Sequence, residues 1–187
     1  MIDKLALQLT SYICPEAYNN VKDRARIQYG LNVLLSEGFK IVSLLLFFNI
    51  IHRQKYFYFS LLILLSTRVF AGGVHLKGNL NCLLVTTLMF ILTSVLAPLI
   101  PRLPKVYYLL VGIASFLIVL VRAPIFSVMR PIKSNKKKLQ YKFTAALSEA
   151  LWIIILLFLE STPYVNCGFS TILIQNIQLV LVKKPKL

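Results

Sequence analysis

The sequence predicts an all-α, polytopic membrane protein of about six transmembrane helices. An amphipathic interfacial helix precedes the spans, and a broken, Gly-rich cytoplasmic segment comes before the third. Three observations predict this class. Of 187 residues, 58% are hydrophobic and only 14% charged, where an average soluble domain carries about 25% charged residues. The 21 Lys and Arg outnumber the 6 Asp and Glu, yet they lie between long apolar runs and not along one polar face. That pattern argues against a nucleic-acid partner. Glycine and proline number only 7 and 8, which excludes collagen-like and low-complexity chains.

The first element is the amphipathic helix. Ile2, Leu5, Ala6, Leu9, Tyr12 and Ile13 recur at helical spacing until Pro15. Such a stripe suits the membrane interface or packing against the spans. Asp3, Lys4, Gln8 and Thr10 interrupt it and no small-residue cleavage site follows, so it does not read as a cleaved signal. A span needs roughly 20 mostly apolar residues. Residues 27–51 form the first, with Glu37 and Lys40 three apart and able to pair on one face. Residues 56–71 form the second, with Arg68 near its end. The third and sixth, 82–100 and 164–182, contain no charge. The fourth, 106–121, lies between Lys105 and Arg122 and is expected to extend through Pro124 toward Met129. The fifth, 143–159, is broken only by Glu149. Pro98, Pro101 and Pro104 mark a short turn between the third and fourth spans. With no repeat and no long linker, residues 1–187 read as a single membrane-embedded domain.

Orientation follows from the Lys and Arg distribution. With both termini cytoplasmic, sixteen fall inside: Lys4, Lys22, Arg24, Arg26, Arg68, Lys77, Arg122, Arg130, Lys133, Lys136, Lys137, Lys138, Lys142, Lys183, Lys184 and Lys186. Only four, Arg53, Lys55, Arg102 and Lys105, fall outside, and Lys40 lies within a span. The segment around His75 is therefore expected on the cytoplasmic side.

Residues 68–82 carry the chemistry. They hold Gly72, Gly73 and Gly78, one of the two histidines (His75), and Cys82 at the start of the third span. On one straight helix His75 and Cys82 would stand about 10.5 Å apart along the axis. A nucleophile and its base need about 3 Å, so a working pair requires a broken chain. Gly72 and Gly73 can end the second helix, and Gly78 with Asn79 can turn the chain back. Asn79 or Asn81 could then cap the third helix, with Cys82 in its first turn near the positive end of the dipole. The structural alternatives are a small buried apolar residue for Cys82 and a backbone-bonded loop histidine for His75. Cys14 and Cys167 have no histidine nearby and read as structural. Three widely spaced cysteines and two histidines suggest neither a disulfide framework nor a metal site.

The pattern Arg68-x3-Gly72-Gly73-x-His75-x6-Cys82 resembles the signature of the accessory gene regulator B (AgrB) family of bacterial membrane endopeptidases. Tyr29-Gly30-Leu31 is similar to the family's early motif, and Ala123-Pro124 followed by Pro131-Ile132 and a Lys-rich loop is similar to its later one. Asn32 stands where the family is associated with Glu or Gln. The resemblance implies a bacterial plasma-membrane cysteine peptidase with Cys82 as nucleophile and His75 as its base. It further implies cleavage of the C-terminal segment of an autoinducing-peptide precursor of the AgrD type, through an acyl-thioester. Capture by a Cys or Ser of the precursor would give a thiolactone or lactone quorum-sensing signal. A homodimer is implied, and no cofactor.

Four further groups of candidates accompany the pair. Asn32, Glu37 and Glu149 lie in the expected cytoplasmic halves of their spans and could orient His75. Arg68 could anchor the glycine loop or bind a peptide carbonyl, or could snorkel to lipid phosphate. Gly72 and Gly73 supply the break. Lys136, Lys137 and Lys138, in a basic loop over 130–142, could contact anionic lipid or attract an acidic precursor tail. A small transporter would use the polar residues within the spans instead, among them Glu37, Glu149, Gln175 and Asn176. A non-enzymatic scaffold would need neither His75 nor Cys82.

Overall fold

Long apolar runs in lipid leave the backbone to satisfy its own hydrogen bonds, and helices answer that demand throughout the computed structural model of the chain. It describes residues 2–13, 21–73, 79–125 and 134–181. The helices are α1 (Ile2–Ile13), α2 (Val21–Ile50), α3 (Gln54–Ala71), α4 (Asn79–Ile91), α5 (Lys105–Arg122), α6 (Asn135–Phe158) and α7 (Thr162–Leu181). A π turn over Leu92–Leu96 and a 3-10 turn over Ala97–Leu99 prolong α4. No β-strand occurs among the described residues.

Four described helical segments are long and apolar enough to cross a membrane: Ile27–Ile50, Leu80–Leu99, Lys105–Arg122 and Asn135–Phe158. They match the first, third, fourth and fifth expected spans. Helices α3 and α7 form where the second and sixth were expected, but Lys55 and Arg68 lower the hydropathy of one. Asn166, Gln175, Asn176 and Gln178 lower that of the other. Two boundaries differ from expectation. Helix α5 stops at Arg122 and does not run on through Pro124, because the residue before a proline is pushed out of the helical region; Ala123 is extended at ψ 150°. Helix α6 starts at Asn135, so Lys136, Lys137 and Lys138 occupy its first turn and not a loop.

The chain divides into two compact units, Met1–Ile50 and Ile51–Leu187. In the first, α1 packs against α2. Ala6 and Thr10 are buried, and Thr10 Oγ1 donates to the Ala6 carbonyl at 2.7 Å. Leu5, Leu9, Tyr12 and Ile13, most of the stripe read from the sequence, stay exposed.

In the second unit α7 packs against α3, α5 and α6. Its apolar face meets Ile63, Tyr108 and Leu156 through Val165, Phe169 and Ile172. The Tyr108 and Phe169 rings lie 5.0 Å apart, and the Tyr108 hydroxyl donates to Asn166 Oδ1. Ser60 forms a polar hub in this core, 2.9 Å from Cys167 Sγ and 3.1 Å from both Ser94 Oγ and Thr171 Oγ1. The outer face of α5 leaves Leu109, Leu110, Ile113, Leu117 and Val121 exposed, as a lipid-facing helix would. Where α7 meets α6, a Cβ on Gly168 would overlap the Leu156 side chain. Gly168→Val is therefore expected to destabilise the protein by about 1–3 kcal/mol through overpacking, seen as a lowered Tm in detergent. Gly38→Ala, with nothing within 4 Å of the new Cβ, should leave the Tm unchanged or higher.

Candidate functional site

The site starts where α3 must end. Gly72 has φ +84° and ψ −168°, a region that is essentially glycine-only. Its N–H still donates to the Arg68 carbonyl at 2.8 Å, closing the last turn of α3. Beyond it the chain meets the segment that follows α5: Ile125 N–H donates to the Ala71 carbonyl at 2.9 Å, and Gly72 and Ile125 form a parallel bridge. From α7, Gln175 Nε2 donates to the Gly72 carbonyl at 2.9 Å. A Cβ on Gly72 would collide with the carbonyl oxygen of Ile125. Three parts of the chain thus converge on one glycine. The central motif and Ala123-Pro124, read separately in the sequence, are neighbours here.

Arg68 and Gly73 are packed together. The space a Gly73 Cβ would take is bounded by the Arg68 guanidinium, with Nε 2.9 Å from that position. Arg68 Nη1 also reaches Gln178 Oε1 at 3.5 Å, the outer limit of a hydrogen bond. Gln178 Nε2 donates to Met89 Sδ on α4 at 3.1 Å. Arg68 is thus packed against the glycine segment and reaches α7.

Cys82 is the fourth residue of α4, a buried thiol only 8% exposed. Helix α4 already begins at Asn79, so Asn79 and Asn81, the expected caps, lie within it, and Cys82 closes its first turn near the positive end of the dipole. One turn on, Thr86 Oγ1 donates to the Cys82 carbonyl at 2.7 Å. Thr86 also lines a shallow cleft with room for about one water, together with Arg68, Met89 and Gln178. Sequence reasoning did not give α7 this part. The available signal was a pair of glutamines three residues apart on one helix face, within an otherwise apolar run.

His75 lies outside the described residues, as do Cys14, Gly78, Pro131 and Ile132. Asn32 and Glu37 belong to the first unit. There Ser36 Oγ donates to Asn32 Oδ1 at 3.4 Å, and Lys40 Nζ pairs with Glu37 Oε1 at 2.5 Å. Glu149 is buried in α6 and accepts from Asn176 Nδ2 of α7 at 2.5 Å. Cys167 is buried at the Ser60 hub, in keeping with a structural thiol. Lys136 and Lys137 are exposed, and Lys138 is half-buried. Among the described residues no group of three or more His, Cys, Asp or Glu could hold a metal ion.

The profile of one protein family, described as accessory gene regulator B, matches residues 4–179. A relative from Clostridium beijerinckii, provisionally named an AgrB-like protein, is 35% identical over 161 residues, covering 86% of this chain and 79% of its own. A second, from Clostridium perfringens strain SM101 and provisionally named in the same way, is 26% identical over 191 residues, covering 97% and 86%. No solved structure matches the chain.

Proposed function

Because the chain belongs to the accessory gene regulator B family, we propose that this multi-pass membrane protein is a cysteine endopeptidase of a quorum-sensing system. It cleaves the C-terminal segment from an autoinducing-peptide precursor and promotes cyclisation of the remainder. The observation that carries the reading is the Gly72 junction. It ends α3 and ties the start of residues 73–82 to α7 and the α5 exit, while Cys82 stands buried in the first turn of α4.

In the proposed reaction His75 takes the Cys82 proton and Sγ attacks the scissile carbonyl. The C–N bond breaks, the amine leaves with the proton from the imidazolium, and an acyl-thioester remains on Cys82. A Cys or Ser of the precursor then attacks that thioester. Its proton passes to His75, and Cys82 departs as thiolate. A site among helices holds the internal nucleophile close and limits water, which favours cyclisation over hydrolysis. Two of the amides that suggested a transporter donate within the bundle, Asn176 Nδ2 to Glu149 and Gln175 Nε2 to Gly72, while their buried amide oxygens make no hydrogen bond among the described residues. In this reading α3 and α7 complete six spans, both termini and the site are cytoplasmic, α1 lies in the interface, and the protein is a homodimer.

The test is co-expression with a precursor peptide and mass spectrometry of the products. Wild type should yield the trimmed cyclic peptide and Cys82→Ser none. A product unchanged in Cys82→Ser would overturn the assignment.

The basic start of α6 adds a second measurement. Changing Lys136, Lys137 and Lys138 together to Gln should raise KM for an acidic-tailed precursor about tenfold at low salt by removing electrostatic attraction. The salt dependence of KM should weaken, with kcat nearly unchanged. Cysteine-labelling of the loops controls for topology. An unaltered KM with intact topology would leave these lysines as orientation signals only.

A further inference from the structure

One face of α7 is bonded to α3 and to the chain that leaves it. Thr171, Gln175 and Gln178 stand at spacings of four and three and so share that face. Thr171 Oγ1 lies 3.1 Å from Ser60 Oγ, and Gln178 Oε1 lies 3.5 Å from Arg68 Nη1. Between them Gln175 Nε2 donates to the Gly72 carbonyl, which has no further helical turn to bond it. Gln175 is 1% exposed, and its Oε1 is buried with no hydrogen bond among the described residues. A buried acceptor left open offsets what the bond to Gly72 contributes, so the amide adds little net stability. What it fixes is direction. The Gly72 carbonyl belongs to the peptide unit that joins two adjacent glycines, the residues whose backbone turns most freely. Holding that oxygen fixes the plane of the unit, and with it the heading of the chain beyond.

We propose that Gln175 is a positioning residue of the peptidase: through the Gly72 carbonyl it sets the direction in which residues 73–82 leave α3. The inference rests on the peptidase reading and adds to it a residue that acts through Gly72. His75 is three residues beyond Gly72 in the sequence and Cys82 is ten, so a turn of the Gly72–Gly73 unit is passed on to the segment that carries the pair. The other bonds of the junction cannot substitute. Gly72 N–H donates to the Arg68 carbonyl and Ile125 N–H to the Ala71 carbonyl; neither holds the Gly72 oxygen. Gln175 reaches it from a fixed scaffold, since α7 is bonded to α3 on either side and Asn176, the next residue, donates to Glu149 of α6.

The test is Gln175→Met in the full-length protein, which keeps the length and bulk of the side chain and removes both of its polar ends. It exchanges one unpaired oxygen, Gln175 Oε1, for another, the Gly72 carbonyl, so Tm should stay within about 4 °C of wild type. The kcat for precursor cleavage should nevertheless fall about 10²-fold, the effect of a displacement of about 1 Å near a reacting group. KM should change by no more than about twofold, because no contact with the precursor is lost. Hydrogen exchange should quicken in peptides covering Gly72, Gly73 and Ile125 and stay as it was in the rest of α7. A variant that does not fold, or that loses kcat only in step with its folded fraction, would make the bond structural and overturn the role. A kcat close to wild type would overturn it too, and a raised KM at unchanged kcat would move Gln175 into precursor binding instead. Cleavage that persists in Cys82→Ser on the same precursor is a separate failure, that of the peptidase reading, and it removes this role as well.

Discussion

Cys82→Ala and His75→Ala are each expected to abolish precursor cleavage, by at least about 10⁴-fold, while the protein still inserts and folds. The magnitude follows from removing a nucleophile or its base, which in comparable enzymes costs several orders of magnitude. Because the two groups act in one step, the double variant should be no worse than about the poorer single one. Cys82 is buried and small, so replacing its sulfur by hydrogen leaves little void and little reason for misfolding. Cys14→Ala and Cys167→Ala should stay active. Cys167→Ala removes a contact to Ser60, worth about 1 kcal/mol, which would show in Tm before it showed in rate. An active Cys82→Ala protein, or a double variant far below both singles, would remove the pair from the mechanism. Precursor cleavage and Tm, measured on the same preparations, separate these outcomes.

Gly72→Ala should be the most damaging single methyl group in the second unit. A side chain in this backbone region costs about 1–3 kcal/mol. The added Cβ also runs into the Ile125 carbonyl, a backbone atom that cannot rotate away. Relief requires separating Gly72 from Ile125 and giving up the Ile125 N–H bond to Ala71, about 1 kcal/mol more. A displacement of about 1 Å near a reacting group can cost roughly 10²-fold in rate, so cleavage should fall by at least that. Gly73→Ala is a graded comparison, because its Cβ meets the end of the flexible Arg68 side chain. It should lose activity by less than Gly72→Ala. Gly30→Ala, with nothing within 4 Å, should gain up to about 1 kcal/mol of helix stability. Equal activity of Gly72→Ala and Gly73→Ala would mean that the junction does not position Cys82.

The helices were legible because apolar length is a direct physical requirement of a membrane, and α2 through α7 lie where those runs predict them. Their ends were less legible. The start of α6 is polar, so hydropathy places it near residue 143, although Lys, Leu and Gln are good helix formers and the helix begins at Asn135. The fourth span was read past Pro124 because apolar residues continue on both sides of it, and apolarity carries no information about backbone angle. In the site, Gly72 and Cys82 were recognisable from local spacing. Gln175 was not, since its meaning depends on a carbonyl 103 residues away. Glu149 was seen as a buried charge within a span, but its partner Asn176 is set by how α6 and α7 pack.

The first turn of α6 also has an energetic consequence. Lys136, Lys137 and Lys138 follow Ser134, whose side chain makes no capping bond. A helix start already bears about half a positive charge from its aligned peptide groups, so three ammonium groups sit where the helix field repels them. Local electrostatics therefore oppose this end of α6, in contrast to the buried pairing of Glu149 further along the same helix. A frustrated terminus of this kind frays first, and any nearby anion that neutralises it winds the turn more tightly. An anionic membrane surface set against this end would thereby help set the length of α6.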